Sequence, residues 1–195
     1  MARKSERTDT PNNFRIFGPF KLQFIKGTST LDSDLSKAFA IAEIRKFYST
    51  DNLDQKGGCY IFAMRTGGRG AKEGTYSPWY VGQAKNLSLL EESLSSRNFD
   101  KFYNRIVARK HGTPVLFWIA KAAPGMINSL NKTEIDQMEQ ELIAWAAHRN
   151  HELMNTQHRP RFTFRIEGLP LSAQSHARAK KGPAAKVAKM LGVAS

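Results

Sequence analysis

Two apolar stretches separated by a glycine-rich insert constrain the fold of this chain more than any other feature. They span residues 59–64 and 79–81, and both are rich in aromatic and β-branched side chains. Such stretches favour β-strands, and the glycines and proline at their ends favour turns. The insert, residues 66–74, is glycine-rich and partly charged. The simplest interpretation is an antiparallel hairpin with a long connection.

Each of these strands carries a tyrosine, Tyr60 in the first and Tyr80 in the second. Taken alone, either tyrosine is explained as a half-buried core residue whose hydroxyl reaches water. Taken together, residues 58–60 (Gly-Cys-Tyr) and 80–82 (Tyr-Val-Gly) resemble the two signature tripeptides of the GIY-YIG nuclease family. The flanking residues are similar to its excision-repair nuclease branch, and also to a bacterial and phage group with an N-terminal Gly-Pro-Phe strand. The resemblance covers about residues 56–155.

Size and charge limit the classes of protein that need to be considered. The chain has 195 residues, of which 41% are hydrophobic, so it can bury one domain core and carry tails. Its net charge of +13 favours an acidic polymer as partner, with nucleic acid first. The single cysteine, Cys59, excludes an intrachain disulfide. No apolar run predicts a membrane span or a signal segment, so we expect a soluble cytoplasmic protein; the oligomeric state is not indicated.

The hydrophobic patterns predict an α+β fold with a small central antiparallel β-sheet flanked by helices. About three core strands are expected, at residues 58–64, 78–82 and 114–121, and residues 162–166 are a candidate edge strand. The predicted divisions are a disordered arm (1–13), a strand-helix extension packed on the core (14–48), a nuclease-like core (56–157) and a basic C-terminal extension (158–195).

The N-terminal extension is predicted to supply strand and helix. Residues 14–24 alternate around a Gly-Pro break, which indicates two short strands or one bent edge strand. Residues 34–48 follow a helical pattern with a broad apolar face. The residues expected to face inward are Leu35, Phe39, Ile41, Ala42, Ile44 and Phe47.

A second helical stretch combines a buried stripe with a row of cations. The stripe is predicted from Phe99, Phe102, Tyr103, Ile106 and Val107. The cations, each four residues apart, are Arg97, Lys101, Arg105 and Arg109. The spacing alone fits a solvated charged face as well as a phosphate-binding ridge, and the family resemblance favours phosphate contact. Lys180 and Lys181 lie in the basic tail, which is either a further nucleic-acid contact or a solubilising end.

A third helix, residues 133–148, contains a carboxylate in its predicted inward stripe. The stripe consists of Ile135, Met138, Leu142, Ile143 and Ala146, with Glu139 among them. A carboxylate at such a position is costly unless it is paired with a cation or binds a metal. A structural salt bridge is one interpretation. The other is that residues 139–143 resemble the family segment that carries its metal-binding glutamate, with Glu141 expected to face away.

The resemblance implies roles for these residues. Glu139 would bind Mg²⁺ (or Mn²⁺), Tyr60 would be the general base and Tyr80 would hold the phosphate or water. Asn155 resembles the family asparagine that supports the site. The family arginine, however, is replaced by Leu90, and Lys101 is the candidate to substitute for it, with Arg105 as the other choice.

Two main functions follow from these roles. One is a metal-dependent endonuclease that hydrolyses phosphodiester bonds, with DNA as the favoured substrate. The alternative is a nucleic-acid-binding protein that kept the GIY-YIG-like fold and lost the chemistry. A structural protein with a basic tail is a third candidate.

Overall fold

The computed structural model describes residues 12–48, 52–67, 74–121, 132–155, 164–166 and 182–191. The strands are β1 (Asn12–Lys21), β2 (Gln23–Phe24), β3 (Leu31–Asp32), β4 (Gly58–Thr66), β5 (Thr75–Ala84), β6 (Thr113–Lys121) and β7 (Phe164–Ile166). The helices are α1 (Ser33–Phe47), α2 (Leu89–Ser93), α3 (Ser96–Asn98), α4 (Asn104–Val107), α5 (Lys132–Arg149) and α6 (Gly182–Met190). A 3₁₀ turn lies at Leu53–Gln55, and a π-helical turn at Phe99–Tyr103 joins α3 to α4.

The main sheet confirms the predicted α+β class and the three core strands. Its order is β5-β4-β6-β1-β7, antiparallel except where β7 pairs in parallel with β1. The segment predicted as a candidate edge strand does end the sheet, as β7. Two further strands, β2 and β3, form a separate hairpin. Of the two ends of the main sheet, β5 is the one that carries the second signature tripeptide.

Strand β4 is apolar along nearly its whole length because both of its faces are covered. One face presents Tyr60, Phe62 and Met64 to a core shared with α1 and with the helical segment 89–107. The other face presents Cys59 and Ile61 to a core shared with α5 and α6. A central strand buried on both sides reads as a continuous hydrophobic run rather than an alternating one, which is the pattern in the sequence.

The N-terminal strand is longer and more central than predicted. Strand β1 continues through the Gly-Pro break and lies between β6 and β7, so it is neither two strands nor an edge strand. The register with β6 shifts between Phe17 and Phe20, which absorbs the irregularity. Gly18, at φ +102°, allows this approach, since a Cβ there would lie 2.7 Å from the carbonyl oxygen of Leu116.

Two helices differ from the predictions. In α1 the buried residues are Ser36, Ala40 and Ile44, whereas Leu35, Phe39 and Phe47 are exposed. In the basic C-terminal extension, residues 184–191 were predicted to form a short marginal helix, and α6 confirms it, but the burial of Val187, Met190 and Leu191 in the core beside α5 was not predicted. A short helix of marginal intrinsic stability is held by packing, which local sequence does not reveal.

The packing of α6 predicts a large loss of stability when a buried side chain of this helix is truncated. Met190 is 1% exposed, so Met190→Ala should lower the free energy of unfolding by about 2–5 kcal/mol through the cavity it creates. Lys189→Ala changes an exposed neighbour on the same helix and should stay within about 0.5 kcal/mol of wild type. Urea denaturation measures both variants. Equal midpoints for the two variants would show that α6 does not belong to the core.

Candidate active site

The two signature tyrosines lie on the same face of the sheet, as the active-site interpretation requires. Tyr60 and Tyr80 both belong to the core layer formed with the helical segment 89–107, and their ring centroids are 6.1 Å apart. Tyr60 lies directly opposite Gly82 in the β4–β5 register. A Cβ at Gly82 would lie 2.3 Å from Tyr60 Cζ and 2.4 Å from its hydroxyl oxygen. The signature glycine therefore leaves the space that the Tyr60 ring occupies.

Tyr60 is buried and held by hydrogen bonds. Its side chain is 1% exposed, and its hydroxyl oxygen accepts a hydrogen bond from Asn98 Nδ2 at 2.8 Å. Asn98 Nδ2 also donates to the Glu92 carbonyl at 2.7 Å. Burial raises the pKa of Tyr60 well above its ordinary value, and the neighbouring Tyr103, Tyr80 and Glu92 raise it further, against the Asn98 hydrogen bond. Tyr60 is thus a neutral phenol at neutral pH, which argues against the predicted general-base role.

Tyr80 is the accessible phenol of the pair. Its half-buried ring stacks on Phe102 with centroids 4.0 Å apart. Burial raises its pKa, a hydrogen bond from Tyr60 lowers it, the charges of Glu139 and Glu92 raise it and Arg97 lowers it. The charges of two carboxylates and one guanidinium therefore act on the Tyr80 phenol.

Glu92 is a site residue that the sequence analysis missed. It follows Glu91, whose side chain is engaged in a capping box with Ser88 at the start of α2. The second glutamate of the pair is therefore left near the tyrosines, and its charge raises the pKa of Tyr60, Tyr80 and Tyr103. The capping signature Ser-x-x-Glu was the available signal, because it assigns Glu91 to the helix end and leaves Glu92 for another role.

The four predicted cations differ in how they relate to Tyr80. All four predicted cations, Arg97, Lys101, Arg105 and Arg109, are exposed. The turn between Arg97 and Lys101 is π-helical, with Asn104 N donating to the Phe99 carbonyl, so a spacing of four no longer keeps side chains on one α-helical face. Lys101 Nζ lies 5.3 Å from the centroid of the Phe102 ring, which stacks on Tyr80. Only Arg97 of these four contributes to the electrostatics of Tyr80.

Glu139 approaches the tyrosines from the other layer of the protein. The predicted inward stripe of α5 is confirmed, since Ile135, Met138, Leu142, Ile143 and Ala146 are all buried. Glu139 itself is half-buried, and burial, assisted by Asp136 and opposed by Lys85, raises its pKa to about 7. Helix α5 packs against the edge strand β5, which carries Tyr80. The charge of the Glu139 carboxylate raises the pKa of Tyr80.

The structure does not support the salt-bridge interpretation of Glu139. Lys85 Nζ is ion-paired with Asp136 instead. No basic side chain within the described part of the chain forms an ion pair with Glu139. Glu139 is nevertheless not the only shielded carboxylate of α5, because Glu141 is buried at 6% exposure.

Asn155 supports the site by closing the edge of β5. Val81 N donates to Asn155 Oδ1 at 3.3 Å, and Asn155 Nδ2 donates back to the Val81 carbonyl. Two neighbouring bonds extend this cover, from Met154 N to the Trp79 carbonyl and from Asn150 Nδ2 to the Pro78 carbonyl. Asn155 therefore fixes the backbone between Tyr80 and Gly82 and acts as a positioning residue.

The oxygen donors on the α5 side fit a hard divalent ion. Glu139 supplies a carboxylate, and the Gln83 side-chain oxygen is buried without a hydrogen-bond partner among the described residues. Gln83 is paired with Cys59 in the β4–β5 register, and the Cys59 thiol donates at 3.5 Å to the carbonyl of Ile135, one turn before Glu139 on α5. Within the described ranges, no three His, Cys, Asp or Glu side chains are close enough together to hold a metal ion between them. One carboxylate with water completing the shell suits Mg²⁺ or Mn²⁺.

Comparisons with protein-family models, with curated proteins and with solved structures found no match.

Within the described residues, no helix is long and apolar enough to cross a membrane. Lys180 and Lys181 lie outside the described residues.

The contact between Tyr60 and Gly82 predicts a specific pattern of stability changes. Gly82→Ala should lower the free energy of unfolding by about 1–3 kcal/mol, because the new methyl group overlaps the Tyr60 ring. Tyr60→Ala removes that ring, so adding Gly82→Ala to it should cost far less. Urea denaturation of the four proteins in this cycle measures the coupling. An equal cost of Gly82→Ala in both backgrounds would show that the ring does not occupy this space.

The raised pKa of Glu139 predicts a pH-dependent effect of its substitution. The folded protein binds this proton more tightly than the unfolded chain, where the pKa is near the ordinary 4.5. Stability from this group is therefore fully present below about pH 4.5 and is lost as pH rises through 7. In EDTA, Glu139→Gln should raise the melting temperature at pH 8 and have little effect at pH 5.

The matched control for this prediction is Glu152→Gln, which removes an exposed carboxylate paired with Lys110 at 2.7 Å. A surface pair contributes little, so its effect should be small at both pH values. A lower melting temperature of Glu139→Gln at pH 8 would indicate that Glu139 pairs with a cation.

Proposed function

We propose that this protein is a divalent-metal-dependent endonuclease that hydrolyses phosphodiester bonds, with DNA as its favoured substrate. The observation that carries the proposal is that Tyr60 and Tyr80 share one layer with ring centroids 6.1 Å apart, while the charges of Arg97 and Glu139 both act on the Tyr80 phenol. A cation, a hydrogen-bond donor and a metal-binding carboxylate are the groups that phosphodiester hydrolysis requires. The resemblance of residues 58–60 and 80–82 to the GIY-YIG signature supports the same class of reaction.

The charge distribution supports a nucleic acid as substrate. The chain carries a net charge of +13, and Arg97, Lys101, Arg105 and Arg109 are exposed along the helical segment that borders Tyr80. Exposed cations clustered along one segment neutralise phosphates and release counterions, which provides affinity without sequence preference. Lys180 and Lys181 are proposed to add contacts of the same kind.

The side chains of the site have distinct tasks in the proposed reaction. Arg97 neutralises the charge of the scissile phosphate, and the Tyr80 hydroxyl donates a hydrogen bond to it. Tyr60, fixed by Asn98, donates to Tyr80 and orients its hydroxyl. A divalent ion held by Glu139 would stabilise the developing charge and activate water. In the metal-free protein burial raises the pKa of Glu139 to about 7, so binding of the ion would release its proton near neutral pH, whereas both phenols stay protonated.

The alternative function is a nucleic-acid-binding protein that has lost catalysis. Two observations favour it. Leu90 occupies the position of the family arginine and is buried at 7% exposure, so this position offers no cation. The raised pKa of Tyr60 also removes the family's proposed base. In the endonuclease proposal, Arg97 supplies the cation that Leu90 does not, and Glu139 holds the ion that activates water in place of a tyrosine base. An activity assay distinguishes the two functions.

Nicking of supercoiled plasmid tests the proposal. The wild-type protein should nick plasmid in Mg²⁺ or Mn²⁺ and not in EDTA. Glu139→Gln should reduce the rate by orders of magnitude, because it removes the charge that binds the ion. Arg97→Ala should reduce it by about 100-fold or more, as expected for loss of one transition-state contact. In EDTA, Glu139→Gln should bind plasmid as well as wild type or better, because a negative charge is lost.

The control for Arg97→Ala is Arg109→Ala, which removes the same exposed charge farther along the segment. It should weaken plasmid binding and leave the rate at saturating protein near wild type. Nicking by Glu139→Gln at the wild-type rate would exclude Glu139 as the metal ligand. Wild-type protein that binds plasmid but does not nick it with either ion would establish the alternative function.

A further inference from the structure

The side of α1 that faces away from the protein is apolar. The helix packs against β1 and β2 through Ser36, Ala40 and Ile44, which recur every fourth residue. On the opposite side, Leu35 is 51% exposed and Phe39 is 37% exposed. Two alanines on the same side, Ala38 and Ala42, are exposed as well. These four residues follow helical spacing and form one outer stripe. A surface helix of a monomer is normally polar there, so the outer stripe indicates a partner.

Charges of opposite sign stand at the two ends of the outer stripe. Asp34 is exposed in the first turn of α1, and Arg45 and Lys46 are exposed in its last turn. The side chain of Asp32, and not that of Asp34, caps the helix, since Asp32 Oδ1 accepts hydrogen bonds from the backbone N–H groups of Asp34 and Leu35. The stripe between these ends carries no charge. A helix with this arrangement is complementary to a copy of itself laid antiparallel.

We propose that the outer stripe of α1 is a two-fold interface between two copies of this chain. With the axis near Ala38 and Ala42, Asp34 of each copy faces Arg45 and Lys46 of the other. The two alanines at the crossing point allow the helix axes to approach closely, and Leu35 and Phe39 fill the space on either side. Such an isologous contact closes at two copies, because each copy contributes the same surface.

The interface leaves the candidate active site open. Helix α1 packs on β1, whereas the site lies at β5, and β4 and β6 separate these two strands in the sheet. The proposal therefore does not depend on the proposed nuclease function. Nucleic acid is the less suitable occupant, because the four residues of the stripe are uncharged and apolar, and the acidic Asp34 stands next to its first residue.

A charge-reversal series tests the interface, with the mass measured by sedimentation equilibrium over a range of protein concentrations. The wild type should be a dimer. Asp34→Lys alone, and Arg45→Glu with Lys46→Glu, should each raise the dimer dissociation constant about tenfold or more, because each breaks both symmetric sets of ion pairs. The triple variant combining all three substitutions reverses every charge together and should restore the dimer towards wild-type affinity.

Two further variants separate loss of the interface from loss of the fold. Phe39→Glu should give a monomer with unchanged helical circular dichroism, since Phe39 is exposed. Leu87→Glu, at a residue 45% exposed near α2, should leave the dimer intact. A monomeric wild type, or a triple variant that dimerises no better than its parents, overturns the proposal. Reduced plasmid binding by Phe39→Glu without any change in mass would also overturn it and assign the stripe to nucleic acid.

Discussion

The candidate site depends on the contact between the Tyr60 ring and the backbone of Gly82. Because residue 82 has no side chain, the ring lies across the neighbouring strand, with its hydroxyl 2.8 Å from Asn98 Nδ2. That position lets Tyr60 hydrogen-bond to Tyr80 and determines where the more accessible phenol is presented. Any side chain at residue 82 would displace the ring and, with it, the orientation of Tyr80.

The site is assembled from both layers of the protein around one edge of the sheet. The tyrosines, Asn98 and Arg97 come from the layer that contains the helical segment 89–107, whereas Glu139 comes from α5 on the other side. Strand β5 separates them, and its outer edge would be a row of unpaired backbone groups without the cover that Asn155 provides. Together with the bonds from Met154 N and Asn150 Nδ2, these two hydrogen bonds satisfy backbone groups of Pro78, Trp79 and Val81 along the strand edge.

Much of the fold, and the pairing of the tyrosines, could be predicted from the sequence because the signals are local. Composition marks β4 and β6, and helical spacing marks the buried stripe of α5. The effect of Arg97 on the pKa of Tyr80 could not be predicted, because a π-helical turn changes the spacing and has no sequence signature. The inward face of α1 was predicted wrongly and the burial of α6 was not predicted, since both helices carry apolar residues and only tertiary packing decides which side is covered.

Line broadening by Mn²⁺ in the amide NMR spectrum is the most direct test of a single metal-binding site spanning both layers. Addition of Mn²⁺ should first broaden the amides of Glu139, Gln83 and Tyr80, because a paramagnetic ion held at Glu139 lies near both α5 and β5. Glu139→Gln should abolish this selective broadening while the remaining spectrum is unchanged. Early broadening confined to exposed acids such as Glu152, with no difference between wild type and Glu139→Gln, would contradict a metal-dependent site at the edge of β5.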